Sequence, residues 1–308
     1  MLHIITSMSV FSTQQWLDDG HTRHLLCTQL SRQEVVRLRR GYYMEADGPE
    51  PSVLHRRRVD AASSSLGAST YFCQTSAAVI HGLPLFAGRH GVAEVTRASG
   101  AHGSINDTLH ARRVVVADDD TCEIDGLRVT TLGKTVADLI RWLPFAEAVM
   151  VADAGLHRGL TRGELCDRTT TGRGCRMAAR VLEFADGRSE SPGESLSRVR
   201  ISHADLPVPE LQTVLRDARG RFLGRVDFFW DESGVVGEFD GAIKYDELVP
   251  DGQTSADVIR AEQKREQGLR DAGFEVVRWG WDDLWTSDMT DRLRRVIASR
   301  SDTHSTNI

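Results

Sequence analysis

Polar and apolar residues along the chain fall into two periodicities, and the switches between them mark its elements. Ser12 or Thr13 can cap a short helix that stops at Gly20, a residue suited to the left-handed conformation after a helix. Thr22–Leu30 puts Leu25, Leu26 and Leu30 on one side and Arg23, His24 and Thr28 on the other, which predicts a second helix. Val35–Tyr43 then has the β-branched and aromatic content of a strand with a basic turn, while Ser31-x-x-Glu34 offers a competing helix cap. Strand-like runs follow at Val92–Thr96, Arg113–Ala117 and Leu127–Thr130, and helix-like runs at Thr70–His81, Thr135–Leu143 and Phe145–Arg158. The Gly/Arg/Ser-rich stretch 186–193 reads as a linker. Ser191, Pro192 and Glu194 open a helix as N-cap, first and third residues. Gly224–Trp230 and Val235–Gly241 read as strands around a break at Asp231–Gly234. A polar helix capped by Thr254 or Ser255 runs to Gly273, and Phe274–Trp279 closes the unit as a strand.

Helix, helix and basic hairpin in the first segment is the plan of a small winged helix-turn-helix, in which one helix enters the major groove and arginines grip phosphates. A helical hairpin with a solvated basic face satisfies the same pattern. Composition narrows the classes. A chain of 308 residues has the length for two or three cores, and 40% hydrophobic with 27% charged residues excludes wholesale disorder. No apolar run approaches the roughly 20 residues of a membrane helix. Met1–Phe11 lacks the basic leader and small-residue cleavage site of a signal peptide. Five scattered cysteines without a C-x-x-C pair argue against a disulfide scaffold or a zinc knuckle and suit a reducing cytoplasm.

The net charge of −6 hides an asymmetry. Arg23, Arg32, Arg37, Arg39 and Arg40 face Glu34 alone in segment 22–43, whereas segment 190–285 holds 12 Lys/Arg against 20 Asp/Glu. The 38 cationic side chains include only three lysines, Lys134, Lys244 and Lys264. Gly133-Lys134-Thr135 is not a phosphate loop: six residues separate Gly126 from Gly133 where that loop has four, and Arg128 would fill the cradle. His81, His90, His102, His110 and His157 show no metal-ligand spacing, so a structural role is assigned to them.

The chemistry concentrates in carboxylates set within apolar strands. Period-2 geometry puts Glu238 and Asp240 on one face, and Asp227 sits in the neighbouring strand of a hairpin. Unpaired acids are costly to bury, and three that converge point to a divalent cation, which hard oxygen ligands favour. Glu194 has a plainer explanation as a capping-box glutamate. On the polar helix Asp257, Arg260 or Ala261, and Lys264 fall along one face.

In this region the chain resembles the PD-(D/E)xK nuclease superfamily, in particular the bacterial domain akin to very-short-patch-repair endonucleases. The resemblance covers about 190–285. It is carried by Ser191-Pro192-Gly193-Glu194-Ser195, Val226-Asp227-Phe228, Glu238-Phe239-Asp240-Gly241, and the closing Lys264-Arg265-Glu266, Leu269-Arg270, Gly273 and Val277-Arg278-Trp279. The resemblance implies metal-dependent phosphodiester hydrolysis, with Asp227 and Glu238 holding Mg²⁺ or Mn²⁺ and Glu194 contributing from the helix. The strand lysine of the superfamily is missing, and Asp240 stands in its place. Lys244 and Lys264 are the two candidates to substitute for it. The N-terminal part resembles an AbiEi-type antitoxin-like winged helix, on Leu38-Arg39-Arg40-Gly41-Tyr42-Tyr43, with support from His81-Gly82-Leu83-Pro84 and Thr135-Val136-Ala137-Asp138-Leu139.

The fold expected is therefore α/β in the α+β sense: a winged helix-turn-helix over 1–50, a mixed α/β middle over 51–185, a restriction-endonuclease-like domain with a central mixed sheet over 186–300, and a disordered tail over 301–308. The function expected is a cytoplasmic DNA endonuclease, in phage defence or a toxin–antitoxin-like system, with Arg23, Arg37, Arg39 and Arg40 on the DNA and a homodimer compatible with cutting both strands. The alternatives are a DNA-binding regulator or antitoxin on a silent nuclease fold, and a nuclease fold used for protein interaction.

Overall fold

The computed structural model describes residues 10–46, 50–97, 104–105, 109–112, 116–241 and 255–305. They form an α+β fold of three sheets with twelve α-helices among the described residues, and fall into two compact units. The first comprises the described residues up to Leu143 together with Leu160–Leu182; the second comprises Pro144–Gly159 and the described residues from Glu183 onward. No described helix is long and apolar enough to cross a membrane.

The first unit begins with β1 (Phe11–Ser12), α1 (Thr13–Asp18), α2 (Arg23–Ser31), β2 (Val35–Arg39) and β3 (Tyr42–Glu45). Ser12 Oγ accepts the Gln15 N–H at 3.1 Å and Gln15 Oε1 accepts the Ser12 N–H at 2.7 Å, a capping box that starts α1. Thr22 caps α2. The competing cap at Ser31 is not used, because the chain leaves α2 through Gln33 at φ +58° and enters β2. The three strands form an antiparallel sheet in the order β1-β3-β2, and Leu26, Val35 and Tyr43 make its core with Phe11, Trp16 and Leu30.

α3 (Pro51–Ser63), β4 (Thr70–Phe72), α4 (Gln74–His81), β5 (Ala93–Arg97), β6 (Ser104–Ile105), β7 (Leu109–Arg112), β8 (Thr121–Ile124), β9 (Leu127–Thr130) and α5 (Leu132–Leu139) follow. Their strands make one mixed sheet, β6-β7-β5-β4-β9-β8. The helix expected over Thr70–His81 starts only at Gln74. Thr70, Tyr71 and Phe72 are β-branched or aromatic and pair with β5, and Phe72 also pairs with β9. The expected strand Arg113–Ala117 falls largely outside the described residues, and the ladder is supplied by β7 instead. α5 starts earlier than expected because Thr131 caps it. α6 (Phe145–His157) belongs to the second unit, and α7 (Arg162–Thr169) to the first. α8 (Cys175–Phe184) leads out of the first unit.

The second unit adds α9 (Pro192–His203), β10 (Glu210–Arg216), β11 (Phe222–Trp230), β12 (Val235–Phe239), α10 (Ser255–Asp271), β13 (Glu275–Trp279), α11 (Trp281–Leu284) and α12 (Asp288–Ser305). Its sheet runs β10-β11-β12-β13, with β13 parallel to β12 and the other pairs antiparallel. Leu269 of α10 packs with Val226, Phe229 and Val236, and Trp279 Nε1 donates to Ser197 Oγ of α9 at 2.8 Å. The stretch expected as a linker, 186–193, is packed into this unit: Ser189 is buried and the Asp186 N–H donates to Asp153 Oδ1 at 2.7 Å. Asp153 of α6 is itself buried and pairs with Arg198 of α9 at 2.8 Å.

One polar link in the first unit has a measurable pH signature. His55 on α3 is fully buried, with Nδ1 3.1 Å from the Gly91 carbonyl and Nε2 2.9 Å from Ser76 Oγ. Ser76 Oγ also accepts the Glu94 N–H at 2.7 Å, so the serine donates to Nε2 and the histidine donates from Nδ1. Burial pushes its pKa from 6.5 to about 4. The unfolded chain thus takes up a proton that the folded chain refuses. The stability of the unit is complete above pH 6.5 and falls by about 3 kcal/mol as the pH drops from 6.5 to 4. Urea titrations across that window should show this slope, and His55→Gln should flatten it.

Candidate functional site

β11 and β12 pair with Phe228 opposite Gly237 and Phe229 opposite Val236, which brings Asp227 and Glu238 to the same end of the hairpin. There Asp227 Oδ2 accepts the Phe239 N–H at 2.9 Å. Helix α9 delivers a third carboxylate. Ser191 Oγ accepts the Glu194 N–H at 3.2 Å, as a cap does, and the Ser191 side chain also hydrogen-bonds the Glu194 carboxylate. Its Oε2 accepts from the Glu190 N–H at 2.9 Å and from Gln212 Nε2 at 3.0 Å. The carboxylate thus serves both the start of α9 and, through Gln212, the site. α9 approaches this closely because residue 193 is glycine: a Cβ there would sit 1.9 Å from the Phe239 ring.

Gln212 ties the cluster together. Its Nε2 also lies 3.3 Å from Asp227 Oδ1, so one amide serves Glu194 and Asp227 at once. Its backbone is left-handed at φ +53°, in the middle of β10. The ladder is kept on both sides, Leu211 with Phe228 and Thr213 with Val226, so the distortion is confined to the pair that faces the site. A non-glycine residue in this region costs on the order of 1 kcal/mol or more and is held there by its surroundings.

Glu238 is treated differently. It is 5% exposed, and its Oε1 lies 2.7 Å from Arg265 Nη2 of α10 while Oε2 lies 2.6 Å from Arg278 Nη2 of β13. Arg265 acts on Glu238 through its charge first and a hydrogen bond second. Glu262 bonds both arginines, and Glu266 lies 3.0 Å from Arg278 Nε. Burial raises the pKa of Glu194, Asp227 and Glu238 alike. The Asp227 charge adds to the rise at Glu194, and the two arginines oppose it at Glu238. Hydrogen bonds from Arg265 lead the causes that lower Glu262 to about 2.

The other expected residues are placed as follows. Asp240 follows β12 and is exposed, with its N–H bonded to the Trp279 carbonyl at 2.8 Å. Lys264 is exposed on α10, and the next residue, Arg265, is the one that reaches the carboxylates. Lys244 lies outside the described residues. In the first unit Arg23, Arg37 and Arg40 are exposed. Arg39 is not offered outward: it donates to the Ala61 carbonyl at 2.9 Å and to Ser65, and stacks over the Tyr42 ring, closing the end of α3. Lys134 of the rejected phosphate loop pairs with Asp138 one turn on.

Sequence reasoning missed Gln212 and gave no role to Arg265 or Arg278. Arg278 carried a signal, as a lone cation in the apolar strand Glu-Val-Val-Arg-Trp. Gln212 carried none, since nothing local predicts its left-handed backbone.

As a donor set for a hard divalent cation, Glu194 and Asp227 fit: their oxygens share one neutral donor, and no described arginine lies within ion-pair distance of either. Glu238 faces two guanidiniums instead. Among the described residues no three His, Cys, Asp or Glu side chains are gathered about one point for an ion.

No protein-family model matches the chain. Two mycobacterial proteins do, over 223 residues at 30% identity, spanning 71% of this chain and 78% of theirs: the uncharacterized proteins MT2308 and Rv2248, from the CDC 1551 / Oshkosh and H37Rv strains of Mycobacterium tuberculosis. The chain belongs to their family. The names of these relatives state no activity, so function is argued from the site.

Strain at Gln212 is separable from its hydrogen bonds. Gln212→Gly removes the amide but relaxes the backbone, whereas Gln212→Ala removes the amide and keeps the strain. Urea denaturation should find the glycine variant more stable than the alanine variant by about 1 kcal/mol.

Proposed function

We propose that this protein is a divalent-metal-dependent DNA endonuclease directed by an N-terminal winged helix. The observation that supports the reading is the pair of Glu194 and Asp227, bridged by the Gln212 amide, next to the β12 position where Glu238 holds two guanidiniums. Mg²⁺ or Mn²⁺ would be held by Glu194 and Asp227, and when bound it would polarise a scissile phosphate and ease deprotonation of water. Glu238 would act by holding Arg265 and Arg278 in place beside that pair. Arg265 and Arg278 bring to the site the positive charge that the missing strand lysine would supply.

The winged-helix part of the reading is supported by the helix pair α1–α2 followed by a sheet in the order β1-β3-β2, with Arg23, Arg37 and Arg40 exposed. Action in the cytoplasm, in phage defence or a toxin–antitoxin-like system, and as a homodimer belongs to the same proposal. A second reading, a DNA-binding regulator or antitoxin on a silent nuclease fold, is favoured by one observation: Glu238 is occupied by Arg265 and Arg278.

Supercoiled plasmid with Mg²⁺ or Mn²⁺ decides between them. A nuclease should nick or linearise it only with metal, and Asp227→Asn and Glu194→Gln should each slow cleavage about 100-fold or more. Absence of cleavage together with absence of Mn²⁺ binding by calorimetry would leave the regulator. In either reading, replacing Arg23, Arg37 and Arg40 by alanine should weaken binding to all duplex sequences alike and lower its salt dependence.

A further inference from the structure

The turn that joins β10 to β11 carries cations and an aromatic ring in full view of solvent. Arg216, Arg219 and Arg221 are exposed, and Phe222 keeps 63% of its surface in water. Asp217 is the single acid in the turn. Its Oδ1 accepts from the N–H groups of Arg219 and Arg221, each at 2.9 Å, and its Oδ2 from Arg221 Nε at 2.6 Å. These bonds hold its pKa below the usual carboxylate range. The Asp217 charge is thereby used on the turn itself and on Arg221. Arg216 and Arg219 have no acidic partner among the described residues, and Arg216 bonds only the Gly220 carbonyl, at 3.1 Å. Gly220 at φ +76° closes the tip, so the hairpin is formed in advance of any partner.

The register extends this surface toward the carboxylates. Arg216 lies opposite Phe222 and Val214 opposite Arg225, and all four are exposed. Cross-strand partners share a face, so Arg216, Phe222 and Val214 make a strip along the hairpin that ends at Arg225, whose guanidinium is paired with Glu190 at 2.7 Å. Five residues after Phe222 the same strand reaches Asp227, about 17 Å away at strand rise. That span is of the order of one groove of a DNA duplex.

We propose that the β10–β11 hairpin is a second DNA-contacting arm. Arg216 and Arg219 hold backbone phosphates about a groove width from the carboxylate site, and Phe222 lies against sugars and base edges. The proposal rests on the reading of the protein as acting on DNA. The guanidinium is the side chain that matches phosphate geometry, and an exposed ring beside it supplies contact without reading sequence. In the acidic C-terminal segment this is a local reversal of sign, which phosphate would favour and an acidic-poor protein surface would not.

Fluorescence anisotropy of the full chain with a labelled 30-base-pair duplex, in Ca²⁺ across a salt series, tests it. Arg216→Ala with Arg219→Ala should weaken binding about tenfold or more and reduce the slope of log affinity against log salt by about 2. Phe222→Ser should weaken binding with the slope unchanged, and Arg295→Ala on α12 should change neither. Melting temperatures should match the wild type throughout, because these side chains are exposed. Wild-type binding that all the hairpin variants retain would overturn the arm and leave the nuclease reading standing. A hairpin variant that changes sedimentation mass while DNA affinity holds would assign the surface to a second copy of the chain. A wild type that neither binds nor cuts duplex would remove both proposals.

Discussion

A carboxylate fixed in the middle of a sheet, at 5% exposure, is the constraint around which the second unit is arranged. Glu238 has little water to solvate it, and an unpaired charge there would be strongly destabilising. The chain answers with Arg265 from α10 and Arg278 from β13, each within 2.7 Å of one of its oxygens. Those cations are in turn balanced by Glu262 and Glu266, which fixes the register of α10 on the sheet. Gly224 belongs to the same solution: a Cβ there would come within 3.4 Å of the Arg265 stem. Two strands, a helix and a glycine are thus specified by one buried charge.

Asp227 and Glu194, at the same end of the sheet, are stabilised by an amide and by backbone N–H groups, without a guanidinium in direct contact. The site therefore has two sides of different character. On the Glu238 side the carboxylate is paired with two guanidiniums, while on the Glu194 side two carboxylates share one neutral amide. The left-handed backbone of Gln212 is what places a single amide between the two carboxylates.

Much of the C-terminal architecture was readable because its signals are local. Ser191 and Pro192 mark the start of α9, Asp231–Gly234 breaks the hairpin, and acids in apolar strands single out Asp227 and Glu238. The N-terminal helix pair was readable for the same reason, through the cap offered at Ser12 or Thr13 and the leucine face of Thr22–Leu30. What was not readable depends on distant partners. Thr70–Phe72 looks helical in its own context and becomes a strand because β5 and β9 are available to pair with it. Lys264 and Arg265 are adjacent, and only the position of α10 on the sheet decides which of them meets Glu238. Arg39 looks like a phosphate contact until the end of α3 arrives to accept its hydrogen bonds. The stretch 186–193 has the composition of a tether, yet it is anchored by a carboxylate more than thirty positions earlier.

That carboxylate, Asp153, lies on a helix that precedes residues 160–182 of the first unit, so the two units are interleaved along the chain. A gene fragment that begins after residue 182 would encode Arg198 without its buried counter-charge and α9 without the helix it packs against. A contiguous piece that carries the whole second unit has to start at Pro144, and it takes Leu160–Leu182 of the first unit along with it. An exchange at that boundary would leave the second unit whole and would instead divide the first, parting the residues up to Leu143 from Leu160–Leu182.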